Sequence, residues 1–172
     1  MKRSTQILLL TFSVMLAVTA SVSAQTDTFS NPQVEYTFVI PEDRWKQVGT
    51  VSTTSPSPVF IFVDRSDGVL NIRKVAIKQS GLLTDLIKDE ESRVSFYQGF
   101  IAGKEENIVG KYRGIVFNFE FVRNARQMTG RYYFLRSSDD TVYLLKFEGK
   151  KDIMRSIQGQ MDSIARTFEI KK

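Results

Sequence analysis

The sequence predicts an α+β fold in which a mainly antiparallel β-sheet is sandwiched by helices in α/β/α layers. Three observations carry that expectation. Several stretches alternate apolar and polar residues with period two, the mark of half-buried strands. Turn signals join neighbouring stretches as hairpins, which pairs them antiparallel. Two further stretches have helical spacing, and one strand is apolar on both faces, so its sheet must be covered on both sides.

The elements follow in order. Gln25 to Gln33 is polar and reads as a flexible lead-in, residues 25–33. Val34 to Ile40 alternates, with Val34, Tyr36 and Phe38 on one side, and Pro41 ends it because proline donates nothing to a ladder. Trp45 to Val51 reads as a second strand and Ser52 to Pro58 as a loop. Val59 to Val63 and Val69 to Ile77 flank Asp64-Arg-Ser-Asp-Gly68, a hairpin signal. Leu82 to about Gly103 approximates helical spacing through Leu83, Leu86, Ile87, Val94, Tyr97 and Ile101. Ile108 to Val122 is the next strand region, with Phe117, Phe119 and Phe121 sharing a face. Arg131 to Arg136 and Val142 to Phe147 make a hairpin, and Tyr132-Tyr-Phe-Leu135 is apolar on both faces. Asp152 is the expected N-cap of a closing amphipathic helix carrying Ile153, Ile157, Met161, Ile164 and Phe168.

The chain has 172 residues, no cysteine, no histidine and a formal net charge of +5. Lys2 and Arg3, the apolar run from Ile7 to Val18, and the small residues ending Val22-Ser23-Ala24 have the order of a secretory signal peptide. Residues 1–24 are therefore expected to be removed after Ala24, releasing the protein to the periplasm or the extracellular space, with no transmembrane segment after cleavage. The absence of cysteine excludes a lipid-anchored lipoprotein, a disulfide framework and thiol chemistry. Cleavage removes two cations and no acid, so part of the +5 belongs to the leader, and nucleic acid is not an expected partner. Residues 34–172 are expected to form one domain.

The order and landmarks of that domain resemble the PsbP-like (Mog/PsbP) superfamily. The resemblance lies in Tyr36-Thr-Phe-Val-Ile-Pro41 followed by Trp45-Lys46, in the late hairpin of Arg131-Tyr-Tyr-Phe-Leu-Arg136 and Thr141-Val-Tyr-Leu-Leu-Lys146, and in Ser163-Ile-Ala-Arg-Thr-Phe168. It spans nearly all of the chain after the leader. It implies a PsbP-like antiparallel sheet between helices and a non-enzymatic accessory or binding role. Relatives include extrinsic photosystem II subunits, a small Ran-binding protein and bacterial envelope proteins. Some related structures carry metal at histidines. This chain has none, and no functional residue transfers to it.

The residue types limit the chemistry. Asp64-x-Ser66-Asp67-Gly68 looks like the start of a calcium loop, but the position for the closing bidentate carboxylate is Val75, so a turn is the better reading. Asp89, Glu90 and Glu91, and also Glu105 and Glu106, read as solvated faces. No Ser-x-x-Lys and no glycine-rich phosphate loop occurs. Gly99 and Gly103 read as packing or capping glycines at a helix end. A carboxylate- or Lys-dependent hydrolase is the remote alternative. No catalytic residue, cofactor or metal site is assigned.

What charge signal remains is local. Between Lys104 and Arg136 lie seven cations against three acids, Glu105, Glu106 and Glu120. Lys111, Arg113, Arg123, Arg126 and Arg131 are the candidate partner-binding residues, since convergent arginines suit carboxylates, phosphates or an acidic protein surface. The competing reading is that strand-edge arginines keep the sheet soluble. The expectation is an exported, non-catalytic accessory or binding protein of the cell envelope. It would engage a protein partner through the basic surface around 104–136. A binder of an anionic small molecule or anionic lipid at the same patch is the alternative.

Overall fold

A computed structural model describes residues 27–41, 44–49, 57–78 and 81–171. The expected signal peptide, most of the loop at 52–58 and the last residues of the second expected strand lie outside these. The described residues form ten strands and three helices: β1 (Asp27–Ser30), β2 (Tyr36–Ile40), β3 (Trp45–Val48), β4 (Val59–Phe62), β5 (Asp64–Ala76), α1 (Leu83–Val94), β6 (Ile101–Val109), β7 (Arg113–Arg123), β8 (Arg126–Arg136), β9 (Thr141–Lys150), α2 (Lys151–Ser156), α3 (Gln158–Thr167) and β10 (Glu169–Ile170). They form a seven-stranded sheet, β3-β4-β5-β9-β8-β7-β6, and a three-stranded one, β1-β2-β10, antiparallel at every pairing.

The large sheet is apolar on both faces at its centre, as the Tyr132–Leu135 run requires. Tyr133 and Leu135 of β8, with Tyr143, Leu145 and Phe147 of β9, join one core. Met154, Met161 and Ile164 of α2 and α3, and Phe29, Tyr36 and Phe38 of the small sheet, complete it. Tyr132, Phe134, Val142 and Leu144 join Phe117, Phe119 and Phe121 in a second core against Ile87 and Val94 of α1. Helices therefore share the covering of the first face with the small sheet.

Several elements differ from the expectation, each for a local reason. Part of the expected lead-in, Asp27–Ser30, is a strand paired with β2, anchored by the buried ring of Phe29. The first helix ends at Val94, not near Gly103. Ser95 donates its N–H to Glu91 O at 2.8 Å, and Gly99 turns the chain at φ 65°. Beyond that turn, Ile101–Val109 is a strand, so the single strand expected from Ile108 is a hairpin turning at residues 110–112. β6 closes one edge of the large sheet and is exposed except at Ile108. Its pairing shifts between Ala102 and Glu105, and Lys104, Glu105 and Glu106 sit in the exposed stretch, devices that discourage edge pairing. Asp152 is not the N-cap. β9 runs straight into α2, so Lys150 holds that position without a side-chain cap. The closing helix breaks at Ile157 (φ −105°, ψ 13°) into α2 and α3. No helix among the described residues is long and apolar enough to cross a membrane.

Candidate binding site

The five residues picked out from the sequence do not form one cluster. Arg113 opens β7 opposite Arg136, and Arg123 closes it opposite Arg126. The ends of this eleven-residue strand are ten steps apart, roughly 33 Å at about 3.3 Å per residue. Lys111, just before β7, pairs with Glu169 at 3.4 Å and belongs to the Arg113 end. Arg131 belongs to neither end. It is 7% exposed and faces α3 from the middle of β8. Its Nε donates to Tyr133 Oη (2.7 Å), Nη1 to Asn118 Oδ1 (2.7 Å), and Nη2 to Asp162 Oδ1 (2.9 Å) and Glu106 Oε2 (3.2 Å). Tyr133 donates to the same Asp162 oxygen at 2.6 Å. Arg131 thus ties α3 to β6, β7 and β8, and is an internal clamp rather than part of an outer patch.

The Arg123–Arg126 end is built around a two-residue hairpin. Asn124 and Ala125 both have positive φ, 54° and 56°, the geometry that matches the twist of paired strands. Arg123 Nη2 bonds Glu148 Oε2 at 3.0 Å, and its guanidinium lies 4.9 Å from the Phe121 ring centre and 5.7 Å from that of Tyr97. Arg126 is exposed at the tip, and Phe96, next to Tyr97, is 89% exposed.

A second cation-rich cluster adjoins this end, and the sequence reading missed it. Glu90 of α1 was expected on a solvated face; it is 2% exposed and points onto the large sheet. Its Oε1 accepts from Arg73 Nη2 and, at 2.7 Å, from Arg93 Nη1, and its Oε2 accepts from Lys146 Nζ. Burial works to raise the Glu90 carboxyl. The Lys146 hydrogen bond and the charges of Lys146, Arg73 and Arg93 outweigh it and hold the group below the usual carboxylate value. Lys146 also lies 5.0 Å from the Tyr132 ring centre, and Tyr132 donates its hydroxyl to Glu148, the partner of Arg123. A continuous polar belt therefore runs from Arg93 through Glu90, Lys146, Tyr132 and Glu148 to Arg123. One signal for Glu90 was present: it shares a helical face with Leu83, Leu86, Ile87 and Val94, a charge within an apolar stripe.

The calcium-like stretch is not a free hairpin loop but the start of β5, where the pairing with β4 shifts register. Asp64 Oδ1 accepts from the Ser66 N–H (2.6 Å) and hydroxyl (2.7 Å), and Asp67 pairs with Lys150 at 2.7 Å. Among the described residues no three acidic, histidine or cysteine side chains are placed to hold a metal.

No protein-family model matches the chain, and none of the curated proteins does. Solved structures do. Cyanobacterial PsbP from Synechocystis is 15% identical over 90% of this chain and 98% of its own, with a TM-score of 0.60. LpqN of Mycobacterium tuberculosis, described as involved in cell envelope biogenesis, is 12% identical over 86% of this chain and 91% of its own (TM-score 0.59). A point mutant of Mog1 is 10% identical over 85% and 96% (TM-score 0.63). Identity at this level speaks to architecture and not to activity. The protein has the PsbP/Mog1 fold.

Proposed function

We propose that the protein is a non-catalytic accessory component of the cell envelope, exported by residues 1–24, whose 34–172 region docks an acidic protein partner. The docking surface is the β7–β8 end of the large sheet, narrowed from the wider 104–136 patch. The observation that carries this is the composition of that end. Arg126 stands exposed at the hairpin tip, Arg123 is stacked on the rings of Phe121 and Tyr97, and Phe96, the chain neighbour of Tyr97, is an uncovered ring. Arginine and aromatic side chains are the residue types that concentrate binding energy at protein interfaces. Lys111 and Arg113 lie at the far end and Arg131 is internal, so none of the three belongs to this surface. The envelope setting is supported by the leader-like N-terminus and by the likeness to LpqN.

The test is capture from an envelope extract with a photo-crosslinker placed beside Arg126. The captured partner is expected to be lost with Arg126→Glu combined with Phe96→Ser, to weaken as salt rises, and to survive Lys111→Glu combined with Arg113→Glu. An unchanged set of partners in the first variant overturns the reading. Flotation with anionic vesicles, abolished by that same variant, would replace a protein partner with a lipid surface.

A further inference from the structure

The cleft beneath α1 has a construction of its own, separate from the β7–β8 tip. It encloses about 400 Å³, within the roughly 300–1,000 Å³ typical of small-ligand sites. Arg73, Asp89 and Arg93 supply its charged lining, and Val75, Ala76 and Leu86 its accessible apolar lining, over the buried Phe134 and Leu144. Glu90 Oε1 accepts a hydrogen bond from each arginine, so both guanidinium groups are drawn together at one buried oxygen. The arginine side chains remain 45% and 60% exposed, and both line the cleft. Three cations, Arg73, Arg93 and Lys146, surround Glu90, and Asp89 at the rim does not neutralise them. Lys74, which also borders the cleft, is held by Glu35 at 2.8 and 3.0 Å and does not enter this balance.

We propose that this cleft binds a small amphiphilic anion, with Arg73 and Arg93 holding its acidic head and Val75, Ala76 and Leu86 receiving its apolar body. Paired guanidinium forks suit the flat, two-oxygen edge of a carboxylate or phosphate head. A buried carboxylate that fixes both arginines before the ligand arrives lowers the ordering cost of binding. Glu90 is therefore a positioning residue and does not itself touch the ligand.

The experiment titrates the purified protein with octanoate, octyl phosphate and octanol while following the backbone amide signals of Val75, Ala76, Leu86 and Leu144. At least one of the two anions is expected to shift these signals saturably, with a dissociation constant on the order of 1 mM or tighter. The response to each anion separates a carboxylate ligand from a phosphate one. Octanol, with the same chain and no charge, is expected to leave them in place. Arg93→Gln, at a 60% exposed side chain and leaving Arg73 and Lys146 on Glu90, is expected to weaken binding about tenfold. Arg126→Gln, outside the cleft, is expected to leave it unaltered. Octanol matching the anions, no saturable shift with either anion, or undiminished binding in Arg93→Gln overturns the site. Since no partner protein enters this measurement, it stands or falls independently of docking at the β7–β8 tip.

Discussion

Glu90 is held by three basic side chains and buried by the sheet, and those two facts set its pH behaviour. Its carboxyl lies below the ordinary carboxylate value in the folded protein. Its contribution is therefore fully present above about 4.3, where the unfolded carboxylate is also charged. It is lost as pH falls through the lower folded value. Glu90→Gln is expected to destabilise the protein by about 2 kcal/mol at neutral pH, with the difference shrinking toward zero in acid. Urea denaturation of both proteins at neutral and acidic pH measures this, and a gap that persists in acid would assign the loss to packing instead of charge. The sequence hid Glu90 because its three partners lie on β5, β9 and α1, far apart in the chain. It also sits between Asp89 and Glu91, which disguised it as one of a solvated acidic run. Arg131 misled for the opposite reason. Counted with its basic neighbours it joined a patch, yet it shares strand parity with Tyr133 and Leu135, and that parity already placed it on a covered face.

The β7–β8 hairpin shows how far an element can be read and where reading stops. The alternation of Phe117, Phe119 and Phe121, and the two-faced run at Tyr132, marked the middle of β7 and the second half of β8, while the start of each strand was misplaced. The turn between them was not placed, because Asn124-Ala125 is not the Asn-Gly pair that announces a two-residue hairpin. The geometry is nevertheless that of such a turn, and Ala125 occupies a conformation that disfavours a Cβ. Ala125→Gly is expected to raise stability by up to about 1 kcal/mol, since it relieves that strain and completes the preferred pair. The denaturation midpoint should rise with an unchanged slope; a lower midpoint would mean that the added freedom of the unfolded glycine dominates. The same contrast explains α1 and β6. Helical spacing persisted by accident through Tyr97 and Ile101, while the charged, exposed edge strand lacked the alternation that marks a half-buried one.

At the scale of the molecule, antiparallel pairing follows from the hairpin signals and two covered faces from the Tyr132–Leu135 run, but the small sheet follows from neither. β10 has two residues, and it pairs with Tyr36 and Thr37, more than a hundred positions earlier. No local pattern announces so short a strand. Both cores bury tyrosine, three in one and one in the other, and this gives the whole fold an alkaline limit. Burial raises the hydroxyls of Tyr36, Tyr132, Tyr133 and Tyr143 above the ordinary tyrosine value, and the neighbouring carboxylates of Glu35, Glu148 and Asp162 add to it. Arg131 opposes the shift at Tyr133 without reversing it. Groups raised in this way keep their protons when folded and lose them near pH 10 when unfolded. Their contribution is complete below that value and falls as pH climbs toward the higher folded values, by about 1.4 kcal/mol per pH unit for each phenol that keeps its proton. The protein is therefore expected to unfold cooperatively above about pH 10, with the tyrosinate absorbance of these four residues appearing together with the loss of far-ultraviolet circular dichroism. Because Tyr132 lies in one core and the other three in its counterpart, both faces of the sheet should fail in one transition. Gradual ionisation of all the tyrosines while the dichroism stays intact would show that the cores admit hydroxide without unfolding, and would contradict the tightly covered sheet.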